Sequence, residues 1–291
     1  MDFLRRKIEH EVFGLTRAGH GPLDYDRPLG DPGLFGPESS VWQVHADFTS
    51  MLVGGTSALF LQMLHPRVLA GVWDHSDFRR DMHGRLGRTA QFIAAVSFGG
   101  EGIANDMISR VRKIHDRVHG TLPTGEPYSA NDPDLLAWVH ATQTYSFLKS
   151  YLLYKNSDFS LHDQTRYLQE YALVAQKLGA EQVPLSLSEL HGYMEQQRQQ
   201  LRCDARTSEV ASILLNTPND LPPSKRWAAQ VVLLSALDNL PPWAMGMFDY
   251  RPAAVAVSGR RLAIRRMAKI LRWAIRNGIA YRAQRRIGAS G

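Results

Sequence analysis

An all-α fold, one helical domain carrying a basic helical tail, is what this sequence predicts, and three observations predict it. Apolar residues recur at helical spacing in one segment after another. No stretch alternates over enough residues to make a strand, and β-branched residues do not cluster. Ser, Asp, Asn, Pro and Gly punctuate the chain where helices would start and stop, with no internal repeat and no low-complexity linker.

Taken in order, residues 1 to 15 form a short amphipathic helix, and residues 19 to 38, rich in Gly, Pro and Asp, an extended arm. Pro37-Glu-Ser-Ser40 starts a long, mostly apolar helix over residues 41 to 65, which Pro66 ends or kinks. In its middle, Gly54-Gly-Thr-Ser57 offers a small-residue surface for close approach of another helix or a flat ligand. A short helix and a polar turn with His75, Asp77, Asp81 and His83 follow over residues 67 to 84; their spacing matches no metal-ligand motif. The next helix reaches Phe98-Gly-Gly100, where glycines interrupt it, and a further helix covers residues 102 to 119. Residues 121 to 128 read as a loop, and Asn131 or Asp132 caps a helix opening at Pro133. Helices over 160–178, 186–202, 206–216 and 224–240 complete the body.

Composition sets the outer bounds. The chain has 291 residues, 44% hydrophobic and 21% charged, ordinary for a globular protein and enough to bury a core without staples. Three regions are expected: an arm at 1–38, a body at 39–250 and a tail at 251–291. The single Cys203 excludes a disulfide framework, a Cys-rich metal site and covalent haem attachment. The first residues lack the apolar run of a secretion signal, and no window is apolar enough to span a bilayer, so a cytoplasmic protein is expected.

Charge is unevenly placed. Eleven Lys and Arg follow Asp249 with no acid among them, whereas residues 1 to 249 hold 23 bases and 28 acids. A mildly acidic body thus carries a strongly basic tail. Within the tail, Ile264, Met267, Ala268, Leu271, Ala274 and Ile275 share one helical face, and Arg261, Arg265, Lys269, Arg272 and Arg276 the other. Such a helix suits docking on the acidic body, or peripheral contact of residues 260–286 with an anionic membrane. It has no reading motif or stacking positions for nucleic acid.

Among chemistry-bearing patterns, hydrolase and phosphate-loop signatures are absent. Arg85, Arg88 and Thr89 share one helical face, and if the two helices meeting at Gly99-Gly100 run back against each other, His115 and that face flank one cavity. Two chemistries suit this set. His115 and His119, four residues apart, would meet one ion in a non-haem metal site. Alternatively, a histidine, nearby arginines and an apolar slot suit a b-type haem, which needs an axial ligand and cations for its propionates.

An ordered set of motifs resembles the MpaB-type oxygenase family, which includes the latex-clearing rubber oxygenases. It runs from Gly54-Gly-x-x-Ala-Leu-x-Leu-Gln-x-x-His-Pro66, Ala70-Gly-Val72 and His75-Ser-Asp-Phe78 through Arg85-Leu-x-Arg-Thr89, Phe98-Gly99 and His115-x-x-Val-x-Gly120. Tyr128-Ser-Ala-x-Asp-Pro133, Trp138-Val-His-Ala141 and Tyr167-x-x-Glu170 complete it, over about residues 40 to 250. The resemblance implies a globin-like all-α fold, haem b as cofactor, O2 as co-substrate and an oxygenase acting on a small or lipidic substrate. It makes His115 the proximal iron ligand and puts Arg85, Arg88 and Thr89 on the distal side as catalytic and cofactor-binding residues, with His140 also near the cofactor, supporting its pocket or the core and not ligating the iron. Rubber oxygenases carry a lysine where Arg88 stands, and a glutamate base near where this sequence has Leu69. A haem-binding sensor or carrier without catalysis is the other reading of the same fold.

Overall fold

The structure, a computed structural model, describes residues 2–16, 23–216 and 222–288. Among them are fourteen α-helices and one two-stranded ribbon, so the all-α expectation holds. Helix α1 (Asp2–Thr16) is followed by an irregular arm through residue 38; residues 17–22 lie outside the described part.

The expected long helix over 41–65 is in fact two, α2 (Ser40–His45) and α3 (Phe48–Gln62). The break has a local cause. Asp47 leaves helical geometry and caps α3, its Oδ1 accepting from the Ser50 amide at 2.9 Å and the Ser50 hydroxyl at 2.6 Å. Pro66 opens α4 (Pro66–His75) instead of merely ending its predecessor, as a proline at a first helical position can.

Then come α5 (Met82–Phe98), α6 (Glu101–His115), the ribbon β1 (His119–Thr121) and β2 (Pro127–Ser129), and α7 (Pro133–Tyr154). The strands escaped the sequence reading because each has only three residues, too few for alternation to register. Helix α8 (Leu161–Leu178) ends on Gly179 at φ +108°. Helices α9 (Leu187–Gln197), α10 (Ala205–Leu215), α11 (Pro223–Asp238) and the unexpected short α12 (Pro242–Met247) follow. The tail is α13 (Ala254–Ala274) and α14 (Ile279–Ile287), two helices where one was expected. Glu9 on α1 accepts from the Arg276 and Asn277 amides, stabilising the break before Gly278.

At the centre α3 lies along α7. A Cβ on Gly54 would come within 2.9 Å of the Ser146 carbonyl oxygen and 3.0 Å of the Phe147 Cα. The small-residue surface is therefore the seat of close approach by a helix. The tail's apolar face is also covered: Ile264, Ala268 and Ala274 are buried, and α13 packs on α11, α1, α3 and α7. Arg272 reaches from it to Asp47 (Nε to Oδ2, 2.6 Å) and donates to the Tyr154 carbonyl at 2.8 Å. Burial alone would raise the Asp47 pKa, but Arg272 and Ser50 outweigh it and hold the carboxyl below its ordinary range.

Candidate functional site

Helices α5 and α6 pack as an antiparallel hairpin about Gly99 and Gly100. Gly99 cannot carry a side chain: its Cβ would lie 2.5 Å from the Ala95 carbonyl oxygen. Arg85 stands about four turns before this hinge and His115 about four turns after it, each roughly 20 Å away along its helix axis. The hairpin thus brings Arg85, Arg88, Thr89 and His115 to one end of the bundle, although no hydrogen bond or ion pair joins His115 to the other three.

His115 is the last residue of α6 and is half-buried. Its Nδ1 is shut off from solvent without a hydrogen-bond partner. The chain next turns into the ribbon, and Ala130 returns to pair with Val118 (N to O, 2.8 Å), which sets Asn131 beside the helix end. Asn131 donates from Nδ2 to Asp116 Oδ1 at 2.7 Å, and its own Oδ1 is likewise buried and unpartnered. Burial lowers the His115 pKa; Asn131 and Asp116 oppose this without overcoming it, so the ring is neutral at pH 7. The Asn131 amide is near enough to favour a protonated ring, yet no well-formed hydrogen bond joins the two.

Arg85 forms no hydrogen bond or ion pair through its guanidinium among the described residues. Burial, with Arg88 adding repulsion, lowers its pKa to about 10. A half-buried cation without a counterion is costly, and an anionic group beside it offsets that cost. Arg88 is exposed and its Nη1 pairs with Asp81 Oδ2 at 3.3 Å; Asp81 in turn caps α5 through the Gly84 amide. The Thr89 hydroxyl donates to the Arg85 carbonyl within its own helix, at 3.2 Å.

His119 departs from the expectation. The helix ends at His115, so His119 lies on β1, exposed, its carbonyl accepting from His75 Nε2 at 3.1 Å. The two histidines do not share a helical face, and among the described residues no group of three or more His, Cys, Asp or Glu suits a metal ion. His75 is likewise occupied next to Tyr128, whose hydroxyl donates to Asp74 Oδ2 at 2.7 Å. Asp81 serves as a cap, and the His83 side chain lies outside the description.

His140 sits apart, on α7 within the core. Its ring lies 5.1 Å from that of Tyr171 and its Nε2 3.2 Å from the Thr144 hydroxyl. Sequence reading missed its companion His45, whose Nδ1 meets the Ser97 hydroxyl at 2.7 Å and whose Nε2 meets the Tyr167 hydroxyl at 2.9 Å. Burial pushes the pKa of His45 to about 3, with His140 adding repulsion, and that of His140 to about 4. Also missed was His65, buried with Nδ1 unpartnered, facing Trp138 whose indole N–H has no acceptor either. Sequence left Asn131 and Asp132 as alternative caps; Asp132 takes the cap, and Asn131 instead donates to Asp116 beside His115.

Two clefts, of about 400 Å³ and about 760 Å³, lie by α10–α12 and the start of α13, lined by residues such as Tyr250, Met245 and Phe248; Arg85, Arg88, Thr89, His115, Asn131 and His140 line neither. No described helix is long and apolar enough to cross a membrane.

Comparison with known proteins gives one finding. The family model described as "ER-bound oxygenase mpaB/B'/Rubber oxygenase, catalytic domain" matches residues 42–273. No curated protein and no solved structure matches the chain. A match over well more than half of the sequence, spanning α2 to α13 and taking in the hairpin with Arg85 and His115, means that this chain belongs to the mpaB/rubber oxygenase catalytic-domain family.

Proposed function

We propose that this oxygenase-family chain is a haem b-dependent oxygenase, using O2 on a small or lipidic organic substrate, with His115 as the ligand to the iron. The observation that carries the reading is the pair of buried, unpartnered atoms at the hairpin end, His115 Nδ1 and Asn131 Oδ1. A metal-binding histidine needs a neutral ring whose other nitrogen donates to an acceptor. Burial supplies the first condition; Nδ1–H turned toward the Asn131 carbonyl oxygen would supply the second and leave the Nε2 lone pair for the iron. Arg85, a half-buried cation without a counterion among the described residues, fits a haem propionate. When bound, the haem supplies the redox chemistry through which O2 reacts with an organic molecule.

The chain's own residues orient and hold charge. Arg88 and Thr89 share the Arg85 face of α5, where the remaining Arg88 N–H groups would donate to substrate or O2 and the Thr89 hydroxyl, its proton given to the Arg85 carbonyl, would accept. Arg88 stays protonated, so it donates and does not ligate. Asp81 restrains it from the first turn of α5. His140 supports the core beside Tyr171 and Thr144.

A non-catalytic haem sensor or carrier is the second reading. Leu69, embedded in the apolar core, favours it, because no carboxylate stands there to act as base. Product formation from O2 and a candidate lipid separates the two.

The spectrum of protein reconstituted with haem tests the central assignment. A Soret band is expected in the wild type and should be lost in His115→Ala; a variant retaining full haem occupancy refutes the ligand. Asn131→Ala should keep the fold and weaken haem retention roughly ten-fold or more.

A further inference from the structure

The cations of the tail divide into two groups. Those facing inward are engaged: Arg260 with Asp238 (2.7 Å), Arg272 with Asp47 (2.6 Å), Arg282 and Arg285 with Asp26, and Arg286 with backbone carbonyls. Those on the outer side of α13 and at its end are not. Arg261, Arg266, Lys269 and the Arg276 guanidinium make no ion pair among the described residues. Electrostatic attraction to the protein's own acids therefore leaves a cationic surface unneutralised, on a segment that contains no acid after Asp249.

That surface is not purely polar. With the face through Ile264, Ala268 and Ala274 buried, the opposite side of α13 carries a second apolar row: Val255 (83% exposed), Leu262 (51%) and Trp273 (37%). At 100° per residue the three point within about 20° of one another. Arg266 and Lys269 lie within about 20° of Leu262–Trp273 on either side of the row, and Ile270 (53% exposed) borders it. Hydrophobic side chains held in water at the centre of a cationic strip fit a surface that is itself anionic above and apolar below.

We propose that the outer face of α13 docks on an anionic lipid surface, with Val255, Leu262 and Trp273 entering the interface and Arg266 and Lys269 meeting the headgroups. Trp favours this depth because its ring is apolar and its N–H remains hydrated. Each cation near an anionic bilayer contributes about 1 kcal/mol. The docking face differs from the one the sequence pattern singles out, which is committed to the core. Nucleic acid would also meet the cations, but has no use for aliphatic side chains such as Val255 and Leu262.

The test uses the full chain and extruded vesicles, of phosphatidylcholine alone or with one-third phosphatidylglycerol. Co-sedimentation is expected with the anionic vesicles and not with the neutral ones, and it should weaken with salt. Arg266→Gln with Lys269→Gln should lower partitioning roughly thirty-fold, the product of two such cations. Leu262→Ser with Trp273→Ser should lower it too, and the blue shift of tryptophan emission on vesicle binding should disappear in Trp273→Phe. All these side chains are exposed, so the circular dichroism of the variants should match the wild type. Equal binding to both vesicle types, binding unaffected by either double variant, no binding at all, or tighter retention by duplex DNA at the same ionic strength overturns the proposal.

Discussion

Replacing Arg272 by Met strands a carboxylate. Asp47 is buried, and among the described residues Arg272 provides its only guanidinium, 2.6 Å from Oδ2; the Ser50 amide and hydroxyl bond Oδ1. Removing one partner of a buried pair costs about 3–5 kcal/mol. The Arg272 side chain retains 31% of its exposure, so water reaches part of the site and the lower end applies, about 3 kcal/mol. For a chain of this length that is a fall in Tm of about 5 °C. Urea unfolding at pH 7 measures it. If the cost is the stranded charge, Asp47→Asn in the Arg272→Met background should recover most of it, since Asn also caps helices well. The sign with pH is fixed as well. Asp47 titrates lower when folded, so its contribution is present above its unfolded pKa of about 4 and is lost as pH falls through the folded value. The gap between wild type and Arg272→Met should therefore narrow below about pH 4. A variant within about 0.5 kcal/mol of wild type at pH 7, or no recovery in the double variant, refutes the reasoning.

Further expectations concern the core. His45, His65 and His140 titrate at about 3, about 4 and about 4 when folded, all through burial first. Their neutral forms stabilise the fold fully above the unfolded value of about 6.5, and this is lost as pH falls from there towards 4, at about 1.4 kcal/mol per pH unit for each; denaturant curves at pH 7, 6 and 5 measure the slope, and a flat profile would contradict it. Gly54→Ala should destabilise by about 1 kcal/mol or more, because the new Cβ meets backbone of α7 and the helices must part. Gly55→Ala should do the opposite, gaining up to about 1 kcal/mol, since its Cβ would rest 3.7 Å from the Phe147 ring. Thermal melts of the two variants compare the signs directly.

Helix existence was legible wherever capping residues and periodicity agreed. Ser39, Asp132 and Ser160 cap the helices that begin at or within a residue or so of where the sequence starts them, and Gly179 ends α8. What was not legible depended on partners far away. The apolar run across residues 41 to 65 gives no sign that Asp47 breaks it, because the break is stabilised by Arg272 from 225 positions later. The helix carrying His115 was extended to His119 because nothing in Asp116-Arg-Val118 forbids helix; instead those residues turn and residues 119–121 pair with 127–129. For the candidate site, spacing and resemblance single out Arg85, Arg88, Thr89 and His115 as candidates, whereas Asn131 beside His115 carries no such signal, since its placement depends on that same ribbon. His45 carried no pattern at all: an apolar helix with one histidine gives no hint that a serine and a tyrosine on two other helices satisfy both its nitrogens.

Arg286 ties strands of chain that are made at very different times. Its Nε donates to the Asp31 carbonyl at 2.8 Å, its Nη1 to the carbonyls of Tyr25 (3.1 Å) and Phe98 (2.8 Å), and its own carbonyl accepts from Gly30 N at 2.7 Å. The arm at 25–31 thus finds its partner 255 residues later. At ribosomal speeds of about 5–20 residues per second, the arm waits roughly 13–50 s before that partner is made. Until then Trp42 and Phe98, which pack beneath the arm with Tyr25 and Ala283, lack part of their cover. On the ribosome this is the region where a chaperone would find apolar surface, and the closure of α14 over it marks the end of that exposure.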